Sequence, residues 1–422
     1  VQVPTGCHRR GEGTGAGRGS RRFSTLAAMN PATAALLATT AIQVAATASI
    51  LTVPAIAPLV AADLGLPTSM VGTYLSLVYV GAASAALLGG AIVLRVGALR
   101  LSQLSLLACA LGLLLGLVPA ILVVALSAMV VGCGYGPITP ASSHVLARTT
   151  PPARMGLTFS IKQTGVPAGA ALAGLLVPPL ALAAGWRIAV AAVAGLALVV
   201  SMAAQPLRRD LDADRNRSAH FSLAHFVAAL RLVIASPSLR TMAAVSFVYA
   251  GLQMCVSGFI VAYLAEEIGL SLVSAGVGLT VANVAGVAAR IGWGAFADRV
   301  ASPRATLALL GALMAASSAA TATFTVAWPL AAMLVVVAAL GATAIGWNGV
   351  YLAETARVAP AGQAALATGG CLFFTYVGVV FCPLLFGMLQ RASGSDAYCF
   401  AAAAGAYALV AAVLALRRPA AA

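Results

Sequence analysis

The sequence predicts an all-α membrane protein, with twelve transmembrane helices arranged as two pseudo-symmetric six-helix bundles. Three observations predict it. Of the 422 residues, 61% are hydrophobic and only 8% are charged, whereas a soluble domain is about one quarter charged; the mean hydropathy is +1.01. Apolar residues run on for about 20 positions at a time, the length at which a helix crosses a bilayer, and do not alternate as in a barrel. A loop pattern also recurs in the two halves of the chain.

In chain order, residues 1–30 are rich in Arg, Gly and Ser and have no apolar period. They are expected to form a disordered basic tail. Met29 lies just ahead of the first apolar run, so a translation start there is an alternative. Spans are expected at 33–61, 69–93, 99–118, 120–147, 155–181 and 186–205, and at 240–265, 271–296, 305–325, 328–352, 362–389 and 397–416. They give an N-terminal bundle over 31–206, a central loop over 207–239 and a C-terminal bundle over 240–418. Within the loop, residues 222–235 have the composition of an amphipathic helix lying on the membrane surface.

Basic residues set the orientation. With the amino terminus inside, inner loops and tails hold 20 of the 24 Lys and Arg residues. Both termini and the central loop are therefore expected on the cytoplasmic side of a multi-pass cytoplasmic (inner) membrane protein. The net charge of +14 follows from this scatter of arginines over short loops, and does not point to nucleic acid. Seven cysteines form no C-x-x-C pair, and six lie in apolar segments as small hydrophobes. No nucleotide loop, metal-ligand set or nucleophile triad is visible, so neither an enzyme nor a cofactor is expected. The Gly-x-Gly pattern at 132–136 lies inside a span, where it serves helix packing.

Two cations fall within spans. Lys162, the single lysine, and Arg290 each lie eight residues from the expected inner end of a helix, roughly 12 Å deep at 1.5 Å per residue. A charge there costs on the order of 3 kcal/mol unless it is relieved. The lysine's own helix is bent by Pro167 and thinned by Gly165, Gly169 and Gly174. Snorkelling to the interface is the competing reading for Lys162.

The repeat is carried by Gly90, Arg95 and Arg100 after the second span and by Gly294, Asp298, Arg299 and Arg304 after the eighth. Leu94 stands where the second copy has Asp298. Two halves repeated in the same orientation are a transporter plan. With six-plus-six spans and a G-x-x-x-D-R loop, the chain resembles the major facilitator superfamily in its prokaryotic twelve-helix form. The resemblance implies that Asp298 faces the start of helix 5 near Arg154 and helps close the cytoplasmic side. A helix start favours an anion in any case. With Leu94 in the first copy, the matching latch is expected to be weak. Gly165 to Gly169 is also similar to the helix 5 motif of antiporters in that superfamily, without its adjacent Gly-Pro.

The resemblance further implies that helices 5 and 8 meet, which would bring Lys162 and Arg290 to one depth, and that helices 1, 4, 7 and 10 line a central cavity. An anion between the cations would relieve their repulsion. For Arg290 a role in the gate competes. Candidate substrate contacts are Lys162, Arg290, Gln43, Tyr135, Gln253, Asn283, Asn348 and Tyr351. For the amides, interhelical hydrogen bonding is an equal alternative. The expected function is alternating-access transport of a small organic or inorganic anion such as a monocarboxylate. A coupling proton and a monomeric state are expected. The alternatives are a drug or metabolite efflux antiporter and, from another class, a membrane sensor that binds a solute without moving it.

Overall fold

The computed structural model describes residues 30–65, 70–216 and 224–416. The expected basic tail and possible start at Met29 lie outside them. Among the described residues, twelve helices are long and apolar enough to cross a membrane. Spans 1 to 6 are Pro31–Ala55, Thr73–Gly90, Ala98–Leu115, Ile121–Thr149, Pro152–Ala184 and Trp186–Leu211. Spans 7 to 12 are Pro237–Glu267, Ser274–Arg299, Pro303–Ala322, Leu330–Val358, Ala364–Ser393 and Asp396–Leu416.

Local chemistry starts the helices. Asn30, Ser236 and Ser302 each accept a backbone N–H of the first turn, and each is followed by proline. Proline suits that position because its missing donor would be unpaired there anyway. Large apolar side chains point outward, among them Leu122 (81% exposed), Leu175 and Leu182. A surface of this kind belongs in lipid.

Packing repeats with a shift of six helices. Span 1 packs on 5, span 2 on 4 and span 3 on 6; span 7 packs on 11, span 8 on 10 and span 9 on 12. Small residues allow close approach. A side chain at Gly132 would strike the backbone of Val78, and one at Gly378 that of Phe247. Five of the spanning cysteines are buried, and Cys133 is exposed. A helix at Ala224–Ala235 buries Ala229 and Val233 against span 11, where Gly370 makes room.

Three spans are broken near mid-membrane. Span 4 is interrupted at Gly136-Pro137, span 5 at Thr164 and span 10 at Ile345 to Trp347. The halves meet where spans 5 and 8, 5 and 10, and 2 and 11 cross. These contacts run from mid-membrane to the end carrying the central linker. Gly90 lies on the backbone of Ala365, and Gly294 and Gly349 both lie on Ser160.

Candidate functional site

The site begins with Pro167. In a helix its N–H would bond the carbonyl of Gln163, and proline has none. The helix breaks at Thr164, and the Gln163 carbonyl is taken by Arg290 Nη1 from span 8, at 2.6 Å. The same guanidinium donates through Nε (3.2 Å) and Nη2 (2.6 Å) to the carbonyl of Ile345, at the break of span 10. A planar fork of donors is suited to such bridging. Arg290, 2% exposed, thereby ties a broken helix of one half to a broken helix of the other.

Lys162 has not snorkelled. It is fully buried, and its Nζ donates to Gln43 Oε1 at 2.8 Å, Gln163 Oε1 at 3.0 Å and Thr139 Oγ1 at 3.4 Å. Gln43 Nε2 in turn donates to Thr47 Oγ1 (3.3 Å) and Tyr135 Oη (3.4 Å). Spans 1, 4 and 5 thus hold the ammonium in a cage of neutral oxygens. The two cations meet at one residue, Gln163, which serves Lys162 with its side chain and Arg290 with its backbone.

A cavity of about 110 Å³ opens beside this cluster, between the halves. That is room for several water molecules. Tyr135, Thr139 and Gln163 line it from one side, and Gln253, Arg290, Asn348 and Tyr351 from the other. Tyr79 and Tyr376, from spans 2 and 11, meet across the halves with ring centroids 5.9 Å apart. Gln253 Oε1 accepts from Trp347 Nε1 (3.0 Å) and Asn348 Nδ2 (3.3 Å), so the C-terminal wall is itself bonded. Lys162 and Gln43 lie behind the N-terminal wall, one side chain removed from the space.

Two residues are placed differently from the sequence reading. Asn283 is exposed, donates to its own helix at Leu279 (2.9 Å) and does not line the cavity. A side chain at Gly174 would meet open space, whereas Gly165 lies on Gln43 and Gly169 on the backbone of span 1. Gln163 was missed. Its signal was available: four residues before a proline inside a helix, a carbonyl is left open.

On the linker side, Asp298 accepts the N–H groups of Gly156 (2.8 Å) and Leu157 (2.7 Å) at the start of span 5. Arg299 is exposed, and Arg304 Nε donates to the carbonyl of Leu414 (3.1 Å). In the first copy, Leu94 is 41% exposed. An acid nonetheless serves the start of span 3. Asp212 of the linker accepts from Leu99 N (2.7 Å) and Arg100 N (3.1 Å), beside Gly97 with φ +94°. Burial pushes its carboxyl above the ordinary range, although the two backbone donors oppose this. Asp214, two residues on, contacts His144 Nε2 at 2.5 Å and pairs with Arg148, both of span 4. The linker also donates from Asn216 N to Leu94 O (2.8 Å) and from Arg215 Nε to Arg95 O (3.0 Å). Glu354, 1% exposed, is held by Arg357 through two bonds of 2.7 and 2.8 Å.

Among solved structures, the E. coli fucose:proton symporter FucP superposes with a TM-score of 0.73 at 16% identity, covering 93% of this chain and 100% of that one. The human organic anion transporter TETRAN gives 0.71 at 14% identity, covering 92% and 100%. A bacterial homologue of the iron transporter ferroportin, in an outward-facing state, gives 0.73 at 14% identity, covering 92% and 99%. At these identities the likeness is one of fold. No curated protein sequence matches the chain. The family model for the Major Facilitator Superfamily matches residues 36–372. The chain, a multi-pass membrane protein, belongs to the major facilitator superfamily.

Proposed function

We propose that the protein is a secondary transporter that carries a small anion, such as a monocarboxylate, by alternating access. The observation behind this reading is the Lys162–Gln163–Arg290 junction. Two buried cations share one neutral residue, and among the described residues neither has a carboxylate partner. Uncompensated positive charge at low dielectric attracts an anion into the adjoining cavity. The neutral acceptors hold both cations in place while the site is empty. Binding then requires only that an anion replace weak acceptors such as Thr139, 3.4 Å from the ammonium.

Contacts concentrated at the linker end correspond to a carrier closed on that side, and the arginine distribution supports reading that side as cytoplasmic. Release to the cytoplasm requires Asp298 to leave the start of span 5. Lys162, Arg290, Gln163, Tyr135, Gln253, Asn348 and Tyr351 form the substrate region in this reading, with Gln43 as a positioning residue for the ammonium.

The test is flux in proteoliposomes, with labelled short monocarboxylates and inorganic anions set against neutral sugars and cationic drugs. Saturable uptake or exchange of an anion, competed by other anions, is expected. Transport of sugars or cations that no anion inhibits would overturn the anion assignment. Anion binding without flux would favour a sensor.

A further inference from the structure

The linker-side end of span 6 leads into a basic cleft. Its last turns present apolar side chains outward: Val199 is 62% exposed and Met202 is 75% exposed. The chain then tightens into Gln205–Leu207 and Arg208–Leu211. A cleft of about 650 Å³ lies there, lined by Gln205, Arg208, Arg209, Asp212 and Arg215.

Three guanidinium groups face one carboxylate in this cleft, and that carboxylate is already engaged. Asp212 gives its two oxygens to the N–H groups of Leu99 and Arg100. Arg208 stands 3.8 Å from it, beyond hydrogen-bond range. Arg215 uses its Nε on the carbonyl of Arg95. Arg209 is exposed and makes no hydrogen bond among the described residues. Asp210 is exposed but does not line the cleft. Guanidinium donors are therefore left over for an acceptor that brings negative charge and several oxygens, which is the chemistry of a phosphate.

We propose that this cleft binds the phosphate of an anionic phospholipid, with the acyl chains lying along Val199 and Met202. A soluble phosphate would use the arginines alone. The apolar flank, in the last two turns of span 6 before the chain enters the cleft, is what a lipid adds. Basic pockets at the ends of spanning helices hold anionic headgroups by this combination. The linker forming the cleft also carries Asp212 to span 3 and Asp214 to span 4, so a bound headgroup fastens the linker to the N-terminal bundle.

The experiment uses the purified full-length protein. Retention of phosphatidylglycerol and of phosphatidylcholine is compared by native mass spectrometry, and melting shifts are measured with each lipid, glycerol 3-phosphate and inorganic phosphate. Phosphatidylglycerol should be held about tenfold more tightly than phosphatidylcholine. Arg208→Gln/Arg209→Gln should remove about that factor and leave phosphatidylcholine retention unchanged, as expected for the loss of a charge-assisted contact. Arg391→Gln, at the opposite end of the molecule, should change nothing. Should the double variant fail to fold, Arg209→Gln alone, at an exposed and unbonded side chain, is expected to weaken retention about threefold. Equal retention of the two lipids, or undiminished phosphatidylglycerol retention in the variants, overturns the proposal. So does a melting shift with glycerol 3-phosphate or phosphate as large as that with the lipid, which would make this a soluble-anion site.

Discussion

Arg290 donates at 2.6 Å to the carbonyl of Gln163, the acceptor that Pro167 leaves open. The proline and the arginine lie in opposite halves of the chain, and each completes the other. Without Arg290 the break in span 5 would carry an unpaired carbonyl within the membrane, at a cost of several kcal/mol. Without the break Arg290 would have only Ile345. Lys162 joins this junction through the Gln163 side chain.

The charge of Lys162 is testable by two substitutions. Lys162→Gln should weaken anion affinity about tenfold to more than a hundredfold, the loss of one charge-assisted bond. Lys162→Arg should retain part of the affinity with altered selectivity, since a planar fork replaces a point charge. Dissociation constants for both variants are the readout. Parental affinity in the Gln variant would remove the lysine from binding.

Gln163 separates charge from shape. Gln163→Glu places a carboxylate beside Lys162 and should compete with the substrate anion, lowering affinity at least about tenfold. Gln163→Leu removes the side-chain acceptor but keeps the carbonyl that Arg290 uses, and should cost less. An equal loss in both variants would point to packing instead.

Asp298→Asn keeps the size of the side chain but removes the charge that meets the start of span 5. It should slow cycling and raise the linker-side accessibility of cysteines introduced near Gly156. Unchanged labelling would mean that Asp298 does not hold that side closed.

Gly349→Ala should act in the same direction by sterics. A side chain there strikes Ser160, and overpacking costs about 1–3 kcal/mol. The linker-closed state should therefore lose about fivefold to more than a hundredfold in population, seen as increased labelling at the same cysteines. Labelling at parental levels would show that the two backbones can separate freely.

Asp214 gives a pH dependence. Burial tends to raise its carboxyl, but the hydrogen bonds and charges of His144 and Arg148 outweigh this and hold it below the usual aspartate range. A depressed acid contributes fully above its unfolded value of about 3.9 and loses that contribution as pH falls through the lower folded value. Hydrogen exchange in residues 208–216 should show no loss of protection between pH 7 and pH 5, and a loss only in stronger acid. Asp214→Asn should raise exchange there at neutral pH. An Asn variant protected like the parent would show that the linker docks without this contact.

The sequence by itself determined the spans, their number and the family, because each depends on composition along a single segment. About 20 apolar residues must form a helix in lipid whatever surrounds them, and the Gly294/Asp298/Arg299/Arg304 loop is contiguous. The presence of two cations within the spans was equally legible. Only the tertiary structure decided what they touch. Lys162 and Gln163 are neighbours in sequence, but Gln43, Thr139 and Arg290 reach them from three other helices, Ile345 of a fourth accepts from Arg290, and rotation about each helix axis sets which side chains face inward. That rotation leaves Asn283 off the cavity lining and Gly174 with open space beside it. It is fixed by packing among helices whose surfaces are nearly uniform in polarity, so no periodicity in the chain announces it. The linker shows the same limit: Leu94 reads as a missing acid, and only the folded chain reveals that Asp212, more than a hundred residues later, caps the next helix.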